Sequence, residues 1–338
     1  MLEDQLKAAY TSATGLPAGR VDKLPGGAGN RLYWRIHGPD QRSAVVMELP
    51  ADPAKSEEAS KDHKPVELPF LNVHRYLQGI GVRVPAILLD AARDGFLVIE
   101  DLTDRTLEQA LLQGVDKQQL YGAAVDRLAA LRAQAEAHPD PKCLAWTRAF
   151  DYDLYLWECE HFLEYGLLGR GARPSGAELD ALRGHFEKIS RELAAAPRSF
   201  THRDYQSRNI MVLPSGEQVV IDFQDALQGP RQYDLVALLR DSYVELERPL
   251  IDQLLHRYAA KLGVQDEKAF VDFFDLLTVQ RKLKDAGRFV FIDQVKKNPS
   301  FLVHIPSSLK YVRDALERQP RLRELHELLA RHVPELRG

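Results

Sequence analysis

The fold of this chain is decided by the stretch His202-Arg203-Asp204-Tyr205-Gln206-Ser207-Arg208-Asn209, which is followed further on by Ile221-Asp222-Phe223. The residues between them, 210–220, alternate as a strand, a tight turn at Pro214-Ser215-Gly216 and a second strand. A hairpin of this kind brings the residues at its two outer ends side by side. The sequence therefore predicts that Asn209 and Asp222 lie at adjacent strand ends.

Asp204, Asn209 and Asp222 have the residue types and the spacing used in phosphoryl transfer. We interpret Asp204 as the candidate catalytic base, which aligns an acceptor hydroxyl and takes its proton. Asn209 and Asp222 are the candidate metal ligands, since Mg²⁺ prefers oxygen donors. The alternative, a helix cap and a turn residue, would not require the hairpin as well.

Composition excludes several other classes of protein. A formal net charge of −4 over 338 residues argues against a general binder of nucleic acid or of anionic membranes. No run of about eighteen apolar residues is present, and the acidic first residues do not resemble a signal peptide. The two cysteines, Cys143 and Cys159, fit neither a zinc pair nor a redox motif. We expect a cytoplasmic monomer with reduced thiols.

Two lobes are predicted, with an α+β fold. Residues 1–102 alternate as strands around a glycine-rich turn and one main helix over 66–79, which predicts a small, mostly antiparallel sheet. Residues 103–338 show helical spacing throughout, apart from the catalytic loop at 201–225. The polar stretch 52–64 is interpreted as a solvated loop, with a binding patch as the alternative.

The first lobe carries the candidate nucleotide-binding residues. Gly27, Gly29 and Asn30 form a glycine-rich turn whose backbone N–H groups could approach phosphate oxygens, although a plain hairpin turn is an equal alternative from these residues alone. Glu100 and Leu102, at the end of the lobe, would present backbone groups to an adenine edge.

These residues resemble the aminoglycoside phosphotransferase and small-molecule kinase branch of the protein-kinase-like fold, which is bilobal. The resemblance is narrower to the bacterial anomeric kinases for N-acetylmuramate and N-acetylglucosamine, which act in cell-wall recycling. It is carried by the residues of 31–35, 45–48, 69–85, 95–102, 201–241 and 274–287, among them Ile221-Asp222-Phe223-Gln224-Asp225-Ala226. It therefore spans nearly the whole chain.

The resemblance implies an ATP-dependent kinase that phosphorylates the anomeric hydroxyl of an amino sugar, with Mg²⁺ as cofactor and ATP as co-substrate. Gln224 and Asp225 are the first candidates for sugar contacts, followed by Arg203, Gln206 and Arg208, with loop scaffolding as the alternative role. Asp234 is expected to anchor the catalytic loop rather than to touch a ligand.

One position departs from the wider kinase pattern. Val46-Met47-Glu48 places an acidic residue where protein kinases have a lysine on the third strand. The anomeric kinases share this substitution, so another cation should neutralise the nucleotide phosphates. The candidates are Arg31 and Arg35, which we expect on the polar face of the neighbouring strand.

Two other functions stay open from the sequence. One is a kinase for an aminoglycoside, choline or another hydroxylated amine, and the other is a catalytically dead, nucleotide-binding pseudokinase. Arg203, Arg208 and Arg240 near the loop favour a neutral or anionic sugar over a cationic amine. The preferred sugar and the cation that replaces the lysine are not determined by the sequence.

Overall fold

Strands and helices fall into two compact units of the chain. The computed structural model describes residues 2–25, 31–50 and 67–337. The sheet unit comprises Met1–Thr106 and Met211–Asp225, and the helical unit comprises Leu107–Ile210 and Ala226–Gly338. Gly27, Gly29, Asn30 and the stretch 52–64 lie outside the described residues.

The sheet unit is built on five antiparallel strands in the order β1-β2-β3-β5-β4. The strands and helices of this unit are β1 (Val21–Lys23), β2 (Leu32–His37), β3 (Ser43–Glu48), β4 (Ile87–Ala91), β5 (Phe96–Glu100), α1 (Leu2–Thr14) and α2 (Pro69–Gly79). On one face, Leu6 and Tyr10 of α1 pack against Ile36, Val46 and Val98. Burying each such side chain contributes about 1.5–3 kcal/mol to stability. Because alternate residues of a strand point to opposite faces, the apolar residues of these strands determine which face packs against α1.

The predicted hairpin forms and packs with the sheet unit. Its strands, β7 (Ile210–Val212) and β8 (Gln218–Val220), make a two-stranded sheet. Met211 and Val219 form a small hydrophobic cluster with Leu102. After the hairpin, the ring of Phe223 stacks on Phe70 of α2, with ring centroids 5.0 Å apart. The hairpin is therefore confirmed, and it is supported by Leu102, just after β5, while Phe70 of α2 packs on the residue that follows it.

The helical unit consists of ten helices and one strand pair among the described residues. They are α3 (Leu107–Leu112), α4 (Lys117–Ala137), α5 (Leu144–Thr147), α6 (Tyr152–His161), α7 (Gly176–Ala194), α8 (Tyr233–Leu239), α9 (Arg248–Lys261), α10 (Glu267–Lys296), α11 (Ile305–Glu317) and α12 (Arg323–His332), with β6 (Arg198–Thr201) and β9 (Leu227–Pro230). The antiparallel pair of β6 and β9 brackets the catalytic loop.

The long helix α10 passes very close to the segment that follows α6. Residues Phe162–Leu167 continue α6 as a turn of π-helix. A Cβ on Gly287 would lie 2.9 Å from the Cα of Phe162, so only glycine permits this approach. The crossing fixes α6 and α10 against each other. None of the described helices is both long and apolar enough to cross a bilayer.

Candidate active site

Asp234 anchors the catalytic loop, as predicted. Its two carboxylate oxygens accept hydrogen bonds from the backbone N–H groups of His202 and Arg203, at 2.7 and 2.8 Å. Arg203 has a φ of 79°, in the left-handed region that a residue with a Cβ seldom adopts. The carboxylate of α8 therefore stabilises a strained turn immediately before Asp204.

Asp204 lies at the surface of the helical unit, with its side chain one-third exposed (33%). The Nη2 atom of Arg281, a residue of α10 that is only 2% exposed, lies 3.8 Å from Asp204 Oδ1. The Arg281 guanidinium also lies over the ring of Tyr233, 4.6 Å from its centroid. Asp204 thus has a buried cation on one side and a solvent-exposed part on the other, so its carboxylate is accessible to a substrate hydroxyl, as a candidate catalytic base requires.

Asn209 is oriented by the same loop. Its side-chain Nδ2 donates a hydrogen bond to the backbone carbonyl of Asp204 at 3.0 Å, which leaves the amide oxygen Oδ1 as its acceptor atom. An amide oxygen of this kind fits the oxygen-donor chemistry of Mg²⁺. The loop thus joins the candidate base and the first candidate metal ligand by a hydrogen bond within one turn.

Asp222 lies in the sheet unit and also has a positive φ, of 65°. Its side chain is 43% exposed, and Oδ1 lies 3.9 Å from Nη1 of Arg31. Burial, reinforced by the negative charge of Asp222, raises the pKa of Tyr33 to about 12. A partly exposed carboxylate fits the donor set that Mg²⁺ takes, since this ion keeps several waters.

Gln224, a predicted sugar contact, donates hydrogen bonds to two carboxylates of its own loop, and a role in sugar binding stays a prediction. The buried side-chain Nε2 donates to Asp222 Oδ1 at 2.8 Å and to Asp225 Oδ2 at 3.0 Å. An amide that donates to two acidic side chains restricts their rotation. Gln224 therefore positions Asp222, and Asp225 stays a candidate sugar contact.

The arginines near the loop do not supply uncompensated positive charge. Arg203 is buried with Nη2 3.8 Å from Glu158, and Arg240 has Nη2 3.7 Å from Asp275. Arg208 donates to both oxygens of Glu108, at 2.7 and 3.0 Å. These three arginines therefore give no support to the prediction of a neutral or anionic sugar over a cationic amine, because each faces a carboxylate of the helical unit. Gln206 is half-buried in the same loop.

Arg35, one of the two candidate phosphate-binding cations, is held by carboxylates. Its guanidinium donates to both oxygens of Asp101 at 2.7 and 2.9 Å, and to both oxygens of Asp104 at the same distances. This leaves Arg31, beside Asp222, as the better candidate. Arg35 and Arg31 differ in their partners: Arg35 is paired with Asp101 and Asp104, which follow β5, whereas Arg31 lies near Asp222.

The two residues at the end of the sheet also have structural contacts. The carboxylate of Glu100 pairs with Arg83 and accepts a hydrogen bond from the backbone N–H of Ala86. The backbone N–H of Glu100 donates to the carbonyl of Ala86. Leu102 buries its side chain in the hairpin cluster. The Glu100 N–H is thus already engaged, and a role for these two residues in binding adenine stays a prediction.

Glu48, at the position where protein kinases have a lysine, lies on the face of the sheet that is opposite to Tyr33. Its Oε2 accepts a hydrogen bond from Trp34 Nε1 at 2.9 Å, on the side that packs on α1. Tyr33 pairs with Met47 in register and shares the other face, toward Asp222. The acidic side chain therefore supports the sheet and is directed away from the Asp222 face.

Arg281 lies at the candidate site, 3.8 Å from Asp204, but was not among the candidate residues predicted from the sequence. Gln280-Arg281-Lys282 belongs to the helical stretch 274–287 that carries the family resemblance, but charged residues in a helix are usually interpreted as solvent-exposed. The sequence did hold a signal for burial: charged residues occur on consecutive turns of α10 at positions that share a face with its apolar residues. In a surface helix these positions would be apolar.

The fold and the site define a phosphotransferase. Residues 20–274 match the family model described as the phosphotransferase enzyme family, so the chain belongs to that family. The choline kinase LicA from Streptococcus pneumoniae has a similar structure, with a TM-score of 0.62 at 14% identity, covering 93% of this chain and 99% of that chain. The predicted α+β, protein-kinase-like fold is confirmed.

Two curated relatives are more similar in sequence. The N-acetylmuramate/N-acetylglucosamine kinase of Pseudomonas aeruginosa is 34% identical over 89% of this chain and 85% of its own length. The protein of the same name from Neisseria meningitidis serogroup B is 31% identical over 90% of this chain and 87% of its own. The expected resemblance to the amino-sugar kinases is thus confirmed.

Proposed function

We propose that this protein is an ATP-dependent kinase that phosphorylates the anomeric hydroxyl of N-acetylmuramate- or N-acetylglucosamine-type sugars, giving sugar 1-phosphates for peptidoglycan recycling in the cytoplasm. The observation that carries the proposal is the loop anchored by Asp234, which holds a partly exposed Asp204 beside Asn209. The similarity to two amino-sugar kinases along most of their length supports the choice of acceptor.

Each residue has a chemical role in this proposal. Asp204 accepts the proton of the anomeric hydroxyl late in the reaction, because a loose phosphoryl-transfer transition state demands little activation of the nucleophile. Asn209 Oδ1 and the Asp222 carboxylate would hold Mg²⁺, which would supply neutralisation of charge on the phosphates. Arg31 supplies positive charge near Asp222 in place of the missing lysine.

A coupled ADP-release assay tests the proposal. Purified protein with MgATP would be given N-acetylmuramate, N-acetylglucosamine, N-acetylgalactosamine, choline and an aminoglycoside in parallel. We expect turnover with the first two sugars. Turnover with only choline or the aminoglycoside would show that the acceptor is a hydroxylated amine and not an amino sugar. No turnover with any acceptor would favour a nucleotide-binding pseudokinase.

A further inference from the structure

Four aromatic rings meet at the surface of the helical unit, on α6, the π-helical turn and α10. His161 lies at the centre, with ring centroids 5.5 Å from Trp157, 4.8 Å from Tyr165 and 5.3 Å from Phe291. Trp157 is 39% exposed, so part of its ring is open to solvent. We call Trp157, His161, Tyr165 and Phe291 the aromatic cluster.

A cation borders the aromatic cluster. The guanidinium of Arg288 lies over the ring of Phe291, 4.9 Å from its centroid. Arginine stacked on an aromatic ring keeps its donors in the plane of the guanidinium, where they can bind a carboxylate through two hydrogen bonds. The cluster thus combines an exposed aromatic surface with a donor group suited to an acidic ligand.

Helix α10 connects this surface to the catalytic base. Arg281, which lies 3.8 Å from Asp204, and Arg288 are seven residues apart (288 − 281) on α10. Seven residues are two helical turns, so the two side chains leave the same side of α10 about 10 Å apart along its axis. That separation is comparable to the length of one sugar ring with its substituents.

The close crossing of α10 at Gly287 lies beside the aromatic cluster. The Gly287 backbone contacts Phe162, which directly follows His161, so backbone contact opposes a movement of α10 toward this turn. A binding surface built on closely packed helices loses little conformational entropy when a ligand binds.

We propose that the aromatic cluster is the subsite that holds the ring of the acceptor sugar, and that Arg288 recognises the carboxylate of an acidic sugar. The apolar C–H face of a pyranose would stack on the exposed Trp157, and its hydroxyl groups would remain hydrated at the rim. This inference rests on the proposed function, because it requires an amino sugar as the acceptor at Asp204.

Two variants and a matched control test the subsite. In Trp157→Ala, we expect the KM for both N-acetylmuramate and N-acetylglucosamine to rise about tenfold, with an unchanged KM for ATP. In Arg288→Met, we expect the KM to rise about tenfold for N-acetylmuramate, which has a carboxylate, and less than twofold for the neutral N-acetylglucosamine. Arg191→Met is the control. Arg191 of α7 also lies over an aromatic ring, that of Tyr152, but it is outside the aromatic cluster, so its replacement should leave the KM for both sugars unchanged.

The outcomes separate this inference from the proposed function. Wild-type protein that phosphorylates no amino sugar contradicts the proposed function. Wild-type activity with unchanged sugar KM values in Trp157→Ala and Arg288→Met overturns the subsite alone. If Trp157→Ala does not fold, Trp157→Phe replaces it: the ring is kept, so sugar KM should stay within about threefold, and Arg288→Met then decides.

Discussion

The Oδ1 atom of Asp234 accepts a hydrogen bond from the backbone N–H of Arg203 at 2.8 Å, and Arg203 at this point has a φ of 79°. The other oxygen of the same carboxylate accepts the N–H of His202. A strained backbone persists only where its surroundings hold it in place. The conformation of the loop that carries Asp204 and Asn209 therefore depends on a carboxylate located in α8.

Replacing Asp234 by Ala should lower both stability and turnover. Two buried N–H groups would lose their acceptor, at a cost of roughly 2–4 kcal/mol in the free energy of unfolding. The released turn should reduce kcat at least tenfold. Urea denaturation and the ADP-release assay measure the two effects. Asp126→Ala, which breaks a half-exposed pair with Arg257, is the control and should change stability by less than about 1 kcal/mol.

Gln224→Ala should raise the Mg²⁺ concentration needed for activity. Without the amide, the Asp222 carboxylate can rotate away from the orientation that binds metal, and we expect the half-saturating Mg²⁺ concentration to rise about three- to tenfold. The rate is measured against free Mg²⁺ at saturating ATP. Gln228→Ala removes a similar amide bond, to the Trp146 carbonyl, and should leave the curve unchanged. Superimposable curves for Gln224→Ala and wild type would show that Gln224 does not position a metal ligand.

The two arginines at the sheet should separate into different roles. In Arg31→Ala, we expect the KM for ATP to rise about tenfold with little loss of stability, because Arg31 lies beside Asp222 and is partly exposed. An unchanged KM for ATP would exclude Arg31 as the cation that replaces the lysine.

Arg35→Ala serves as the counterpart and should act on stability. It would leave the buried Asp101 without its bidentate partner, which costs about 3 kcal/mol. Burial alone would raise the pKa of Asp101, but hydrogen bonds from Arg35 and Ser43 outweigh it and lower the pKa. This stability is therefore complete above about pH 4 and is lost as the pH falls through the lower folded-state pKa. Urea denaturation at pH 7 and pH 3 should show a smaller difference between variant and wild type at pH 3.

Asp204→Asn should retain ATP binding and lose turnover. The amide keeps the shape of the carboxylate but cannot accept the hydroxyl proton, so kcat should fall by a factor of about 100 to 10,000. Isothermal titration with MgATP checks binding, and ADP release checks turnover. A variant with near-normal turnover would remove Asp204 from the role of base.

The chemistry of the site was more predictable than its contacts. The hairpin at Pro214-Ser215-Gly216 followed from local turn residues, and Gly216 has the expected positive φ of 86°. The pairing of Arg35 with Asp101 joins residues that are distant in sequence, so no local pattern reveals it. The hydrogen bonds of Gln224 to Asp222 and Asp225 were not foreseen, because an amide next to a candidate metal-binding Asp can face either a ligand or the carboxylate. Periodicity places side chains on helix and strand faces, but it does not apply in loops.

Burial of charge was the other limit of prediction. The sequence predicted α10 as a helix, but it gave no reason to place Arg281 in the interior beside Asp204. The pairing of β6 with β9 likewise depends on chain segments on both sides of the catalytic loop. Both features follow from tertiary packing, which overrides local preference.

Identification of the product by phosphorus NMR tests the central claim most directly. After incubation of the protein with MgATP and N-acetylmuramate or N-acetylglucosamine, the new phosphate signal should couple to the anomeric proton of the sugar. That result is the one we predict for a sugar 1-kinase. A phosphate coupled to the protons at C6, or ADP accompanied only by free inorganic phosphate, would contradict it.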